Sequence, residues 1–425
     1  MSRAWDVVVI GAGAAGLLAA TRAAERGRRV LLLEKNRRAG TKILMSGGTR
    51  CNVTHATDRR GIVEAFGNQG NFLHSALAIF GPSDVVALLD AEGVPTKVES
   101  TGKVFPSSDR ASDVLGAFLS RLERSGVQLA LAEPVLDLSP CEVDRGEAGY
   151  RVVTGSRTVA ASAVVLATGG KSYPGCGTTG DGYTWAERLG HSLVPPRPAL
   201  VPIIVRADWV KALSGVSLSD AQVCVRERPD NGRDNGRASE VALATCRGAM
   251  LFTHFGLSGP VVLDVSRCIT SHGRPSSLQL EWDFLPEASA ECLESWLRAG
   301  RATDGKKQVS TLLADRLPRR LADTLTQQAH VRLDCRTAEV RREQWASLVR
   351  AVKATVMPVA GTLGFEKAEV TAGGVDLREV DSRTMRSKRF PNLYFVGEIL
   401  DLDGPIGGYN FQAAFSTGWL AGESV

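Results

Sequence analysis

The sequence predicts an α/β chain, built on a nucleotide-binding βαβ unit and interrupted by an antiparallel barrel and a small helical region. Three observations predict this. The apolar run Val7-Val-Val-Ile10 ends in Gly11-Ala12-Gly13-Ala14-Ala15-Gly16, an Ala/Leu-rich helix follows, and a second run, Val30-Leu-Leu-Leu33, closes on Glu34. Beyond Pro195-Pro-Arg-Pro198 the pattern turns to short alternating segments, and beyond Pro286 to leucines at helical spacing. From Ala354 the glycine-rich turns after apolar runs return. The expected divisions are therefore 1–194 and 354–425 for the nucleotide domain, 195–285 for the barrel and 286–353 for the helices.

Each part of the opening unit has a chemical reason. Gly11 permits a tight turn, Gly13 lets backbone amides approach a pyrophosphate, and Gly16 lets helix and strand pack closely. Ala14 and Ala15 open a helix whose positive end faces the phosphates, and Glu34 can accept a ribose 2′-hydroxyl. A lone Gly-x-Gly-x-x-Gly is weak, because an Ala/Gly-rich helix start also serves close packing. Here strand, helix and terminal acid accompany it.

Composition sets the frame. A chain of 425 residues exceeds one ordinary core. Its 44% hydrophobic and 23% charged residues are those of a soluble globular protein. The first strand begins so near Met1 that no leader is expected, and no apolar run approaches membrane-spanning length, so a cytoplasmic protein without a membrane partner is expected. Eight scattered Cys without a Cys-x-x-Cys pair predict free thiols and no metal site. The net charge of +5 says little, but residues 298–353 hold thirteen Lys/Arg against six Asp/Glu, an excess of seven. Such a region could meet a polyanion such as RNA, or be a solvated helical surface.

Next in the chain, residues 40–52 hold too much glycine for a regular element. Such a loop can wrap a cofactor with backbone amides while Lys42, Ser46, Gly47, Arg50 and Asn52 supply contacts; a plain surface loop is the alternative. Helices are expected at 82–93 and 112–126, with a hairpin arm at 101–106 between them. Strands are expected at 127–132, 133–138, 150–154 and 163–167. The last runs into Ala167-Thr168-Gly169-Gly170, a close-approach turn after a strand. A helix at 183–189 is capped near Asp181.

Six alternating segments, 200–205, 221–226, 240–245, 250–253, 261–265 and 278–284, predict the barrel, with a duplicated Asp-Asn-Gly-Arg turn at 230–237. Helices follow at 286–301, at 309–329 with Leu313, Leu317, Leu321 and Leu325 four apart, and at 343–353. The last segment has a strand running into Gly397-Glu398, then Gly407-Gly408-Tyr409-Asn410 opening a final helix. Its positive end would stabilise an electron-rich group such as a flavin that becomes anionic on reduction. Tyr409 and Asn410 could bind flavin or substrate.

The motifs 11–16, 40–52, 167–170, 177–182, 253–260, 371–375 and 397–412 resemble the YhiN/BaiN-like family of NAD(P)/FAD-dependent oxidoreductases over nearly the whole chain. The resemblance implies a Rossmann-like FAD-binding domain of the two-dinucleotide type, split by the barrel and helices. Lys35 and Val135 join the residues above as candidate FAD contacts. One departure is Thr49, where Gly is expected. Family activities include reduction of conjugated enones in bile-acid intermediates and dihydrouridine synthesis in ribosomal RNA. Both imply hydride delivery from flavin N5 to an activated C=C and a protein acid protonating the α-carbon. Cys51, with a thiol suited to proton donation near neutrality, and His254, in Phe-Thr-His-Phe-Gly-Leu-Ser-Gly-Pro, are the candidate acids. Packing under the ring is the alternative for Cys51 and a structural histidine for His254. No second Gly-x-Gly-x-x-Gly is present, so NADPH or NADH would bind transiently as electron donor. A small-molecule enone reductase, an FAD-dependent amine oxidase and a non-catalytic FAD-containing RNA binder are the competing classes.

Overall fold

The computed structural model describes residues 4–143, 146–228 and 241–425. The duplicated Asp-Asn-Gly-Arg turn lies outside them. Contacts divide the chain into two compact units, Met1–Pro198 with Glu369–Val425, and Ala199–Ala368.

The first unit is organised on a twisted sheet. Trp5–Ile10 runs parallel to Val30–Leu33 on one side and to Thr158–Leu166 on the other. Val7 to Ile10 and Val30 to Leu33 are buried throughout, which is why these runs are apolar rather than alternating. Thr158–Leu166 pairs with two neighbours along its other edge. Its beginning meets Ala148–Thr154 antiparallel, and its end meets Leu393–Phe395 parallel. That second pairing returns the end of the chain to the centre of the sheet, beside the opening unit.

Two helices lock this arrangement, Ala14–Glu25 and Tyr409–Ser424. Their faces meet through small residues, since a Cβ on Gly418 would lie 2.2 Å from Ala15 O and one on Gly422 2.5 Å from Ala19 O. The backbones approach too closely for any side chain. The stretch Gly67–Ala91 has the length and mean composition of a membrane span but is not one continuous element. In the fold it is a 3₁₀ turn and two short helices, interrupted at Phe80 and Gly81, with ten of its 25 residues buried.

The second unit is a closed six-stranded barrel. Its strands are Ile203–Val205, Ser217–Glu227, Ala244–Thr253, Gly256–Ser258, Leu278–Asp283 and Thr355–Thr362. Residues 261–265, expected as a strand, belong instead to the helix Pro260–Ser271. Val261, Val262, Leu263, Val265, Ser266 and Ile269 are buried, and the 3–4 spacing from Val262 through Ser266 to Ile269 is helical, which the short run Val-Val-Leu-Asp-Val disguises. Pro260 at its first turn pre-sets the helical φ. The sixth strand comes from beyond the helices, at Thr355–Thr362. The expected helix over 309–329 is two, Val309–Leu313 and Arg319–Gln328, separated at Pro318, which cannot donate a helical hydrogen bond. Leu313, Leu317, Leu321 and Leu325 are buried in one core with Trp282 and Met357 of the barrel.

Candidate functional site

The Gly11 turn is built as the spacing predicts. Gly11 has φ +102°, and a Cβ there would lie 2.5 Å from Ala167 O. A Cβ on Gly16 would lie 1.8 Å from Gly11 O, whereas one on Gly13 would enter open space. Gly13 is also the N-cap of Ala14–Glu25, and no side chain caps the free amides there. The turn is thus shaped to bring uncapped backbone N–H groups against an anion. Glu34 is buried at the end of the second strand, accepting the Ala12 N–H at 2.9 Å and the Asn36 N–H at 2.8 Å. Each carboxylate oxygen retains a further lone pair for a hydroxyl. Glu133 N–H donates to Glu34 O, so the segment leading into Val135 runs beside this acid. Thr168 Oγ1, in the Ala167–Gly169 turn, is buried without a hydrogen-bond partner.

A second set of residues meets around Glu398. Its Oε1 accepts from Ser172 Oγ at 2.6 Å and from the Thr371 N–H at 2.8 Å, while Oε2 accepts from Lys42 Nζ at 2.6 Å. Lys42 also donates to Ser172 Oγ, and Thr371 Oγ1 accepts the N–H groups of Lys171 and Ser172. Ser172 and Thr371 tie four distant segments together. The side chain of Lys35 is held by Asp181 and Thr179, each at 2.6 Å.

The Gly-rich segment starts as a helix over its first residues and leaves it at Ser46, where ψ is 152°. The expectation of no regular element across 40–52 is therefore corrected for its first turn. Gly47, Gly48, Thr49 and Cys51 are all left-handed. Arg50 is turned to Glu99 at 2.6 Å and stacks on the Phe105 ring 4.0 Å away, which uses the guanidinium predicted for the cofactor. Ser46 Oγ donates to Ile43 O. Asn52 is buried with Oδ1 unpartnered, 2.8 Å from where a Cβ on Gly408 would sit. Gly407 and Gly408 stand with φ +131° and +94° at the uncapped start of the final helix. Asn410 ties the preceding loop instead, through Gly404 N–H at 2.8 Å and Gly404 O at 3.0 Å. Tyr409 stacks on His55 at 4.7 Å, and His55 Nδ1 lies 3.1 Å from Gly407 O. Gly397, φ +72°, packs under Ala15.

The two candidate acids differ sharply. Cys51 is fully buried, and desolvation pushes its thiol up to about 12, against the expectation of a donor poised near neutrality. His254 occupies the exposed tip of a two-residue hairpin between Thr253 and Gly256 in the second unit, its ring edge-on to Phe255. His55, Ser172 and Asp401 are not among the candidate residues the sequence offers, and Thr371 enters only as the first residue of the 371–375 motif. Burial raises the Asp401 carboxyl, offset by a hydrogen bond from Gln69 at 2.9 Å. Gly102 packs against His55, where a Cβ would lie 2.4 Å from His55 Nε2, a contact that no local sequence pattern encodes. Among the described residues no group of three metal-ligating side chains occurs.

FAD fits these residues. The uncapped turn at Gly13, the acid Glu34, the unpartnered Thr168 and Asn52, and the uncapped Gly408 helix start match the successive anionic and polar parts of a dinucleotide flavin.

Comparison with known proteins agrees. The family model described as HI0933-like protein Rossmann domain matches residues 5–424. The chain is 34% identical to the ribosomal RNA dihydrouridine synthase of Escherichia coli strain K12, covering 99% of this chain and 98% of that one. It is 32% identical to the 3-dehydro-bile acid delta(4,6)-reductase of Clostridium scindens, covering 98% of each. In fold it is similar to 3-ketosteroid delta1-dehydrogenase from Sterolibacterium denitrificans, with TM-score 0.50, 14% identity and 99% of both chains covered. The chain therefore belongs to the HI0933-like Rossmann family, with the FAD-binding fold of flavoprotein oxidoreductases, and is an FAD-dependent oxidoreductase.

Proposed function

We propose that this enzyme reduces an activated C=C of uracil in ribosomal RNA, forming dihydrouridine, with NADPH or NADH as electron donor. The observation that supports it best is similarity along the full chain to an enzyme of that name. Bound FAD supplies the hydride chemistry. The residues of this chain hold the cofactor and move the proton. Gly11, Gly13, Ala14, Ala15 and Gly16 present amides to the pyrophosphate, and Glu34 accepts from the ribose. Lys42 neutralises Glu398 and fixes it through Ser172. Gly407 and Gly408 leave the start of the last helix uncapped, where its positive end would stabilise a reduced flavin. His254 is the proposed donor to the α-carbon, because its side chain is exposed at a hairpin tip whereas Cys51 is fully buried. The protein would work in the cytoplasm.

A small-molecule enone reductase is the second reading, favoured by the similarity to a bile-acid reductase. Anaerobic mixing of the holoenzyme with NADPH or NADH should bleach the flavin absorbance, and ribosomal RNA lacking dihydrouridine should restore it. His254→Gln should leave the bleaching unchanged and slow the restoration. Bleaching by an amine, with none by either nicotinamide, would replace the reductase by an oxidase. Restoration by a conjugated enone and none by RNA would select the second reading.

A further inference from the structure

The charge excess of the helical segment separates, in three dimensions, into two groups. Arg298, Lys307, Arg319, Arg332 and Lys353 are each paired with a carboxylate. Arg316 lies over the Trp296 ring, and Arg320 donates to the carbonyls of Ala212 and Ser214. These seven are accounted for by folding. Among the described residues, Arg301, Lys306, Arg336, Arg341, Arg342 and Arg350 have no ion-pair partner, and all six are exposed.

Backbone pairing draws most of the second group together. Gln308 bridges Arg336 antiparallel, with Thr337 N–H donating to Lys307 O and Ala338 N–H to Gly305 O. A Cβ on Gly305 would lie 3.5 Å from Arg301 O. Arg301, Lys306 and Arg336 therefore sit on three adjoining segments. Five residues past Arg336 the chain reaches Arg341 and Arg342, at the N-cap and first position of the helix Arg342–Lys353. Arg350 follows two turns later, about 12 Å along the axis.

The helix start is the informative detail. A helix N-terminus is the positive end of the backbone dipole, where cations are disfavoured and Asp or Glu preferred. A solvated face selected for helix stability would carry its cations in the last turn, as Arg350 and Lys353 are, and acids such as Glu343 in the first; Arg341 and Arg342 do not follow that rule. Two unpaired arginines at this start work against the helix, and the counterpart that compensates such a field is an external polyanion. We infer that Arg301, Lys306, Arg336, Arg341, Arg342 and Arg350 form a docking face for the phosphate backbone of the RNA substrate. This inference rests on the ribosomal RNA reading above. The face supplies affinity and register without reading sequence, leaving base choice to the catalytic unit.

The test is the salt dependence of binding of a fluorescent ribosomal RNA fragment by the FAD-loaded protein. Each phosphate contact adds roughly 0.7–0.9 to the slope of log K against log salt. Replacing the six by Gln should flatten that slope and weaken binding at least about tenfold at ~0.1 M salt. Arg341→Gln with Arg342→Gln alone should weaken binding while leaving the melting temperature equal or higher, which a purely structural role would not allow. NADPH bleaching of the flavin serves as the folding and cofactor control. An unchanged slope in the six-fold variant would overturn the inference, as would an equal loss of affinity for anionic lipid vesicles and RNA. Absence of dihydrouridine formation by the wild type, with RNA binding intact, would instead count against the substrate.

Discussion

Thr49 is the residue most at odds with its own chemistry. It holds φ +68° in a run of left-handed residues, a conformation that suits Gly and crowds a β-branched side chain. Its hydroxyl recovers little, donating to Gly48 O next to it at 2.6 Å. Thr49→Gly should therefore raise unfolding stability by about 0.5–1 kcal/mol, the left-handed penalty of an L-residue less the entropy glycine loses on folding. Chemical denaturation with FAD bound checks this, and a lower midpoint would mean that Thr49 makes a contact worth more than its strain. Two residues on, Cys51 is left-handed as well and fully buried. Burial pushes its thiol up to about 12, so it carries no negative charge near neutrality.

At the scale of elements, the pair of helices Ala14–Glu25 and Tyr409–Ser424 holds both ends of the cofactor site in one frame. Each supplies an uncapped N-terminus, and Gly418 and Gly422 let them close on Ala15 and Ala19. Gly418→Ala places a methyl 2.2 Å from Ala15 O, so the helices must part. The expected outcome is destabilisation by about 1–3 kcal/mol with weaker FAD retention, read from melting temperature and from flavin lost on gel filtration. Retention of both would show that the pair does not position the site. Much of this was legible in the sequence. The runs at Val7 and Val30 and the Gly11 to Gly16 spacing are local patterns whose meaning depends on a few neighbouring residues. The helix at Pro260–Ser271 was not, because five residues cannot separate alternation from helical spacing. The Lys42, Ser172 and Glu398 contacts join positions 130 to 356 apart, which no local pattern encodes. Arg50 and Asn410 also hold Glu99 and the Gly404 loop, contacts that no local pattern encodes.

At the scale of the molecule, a Rossmann-type unit that fits FAD is joined in one chain to a barrel unit carrying exposed His254 and, among the described residues of 298–353, six unpaired cations. The central claim is that the substrate is uracil in ribosomal RNA. It is tested most directly by mass spectrometry of ribosomal RNA nucleosides from a strain lacking this gene and from the same strain complemented with it. Loss of a dihydrouridine on deletion, restored by the wild type and not by Gly16→Ala, whose methyl would lie 1.8 Å from Gly11 O, is the predicted result. Unchanged dihydrouridine in the deletion strain would contradict it.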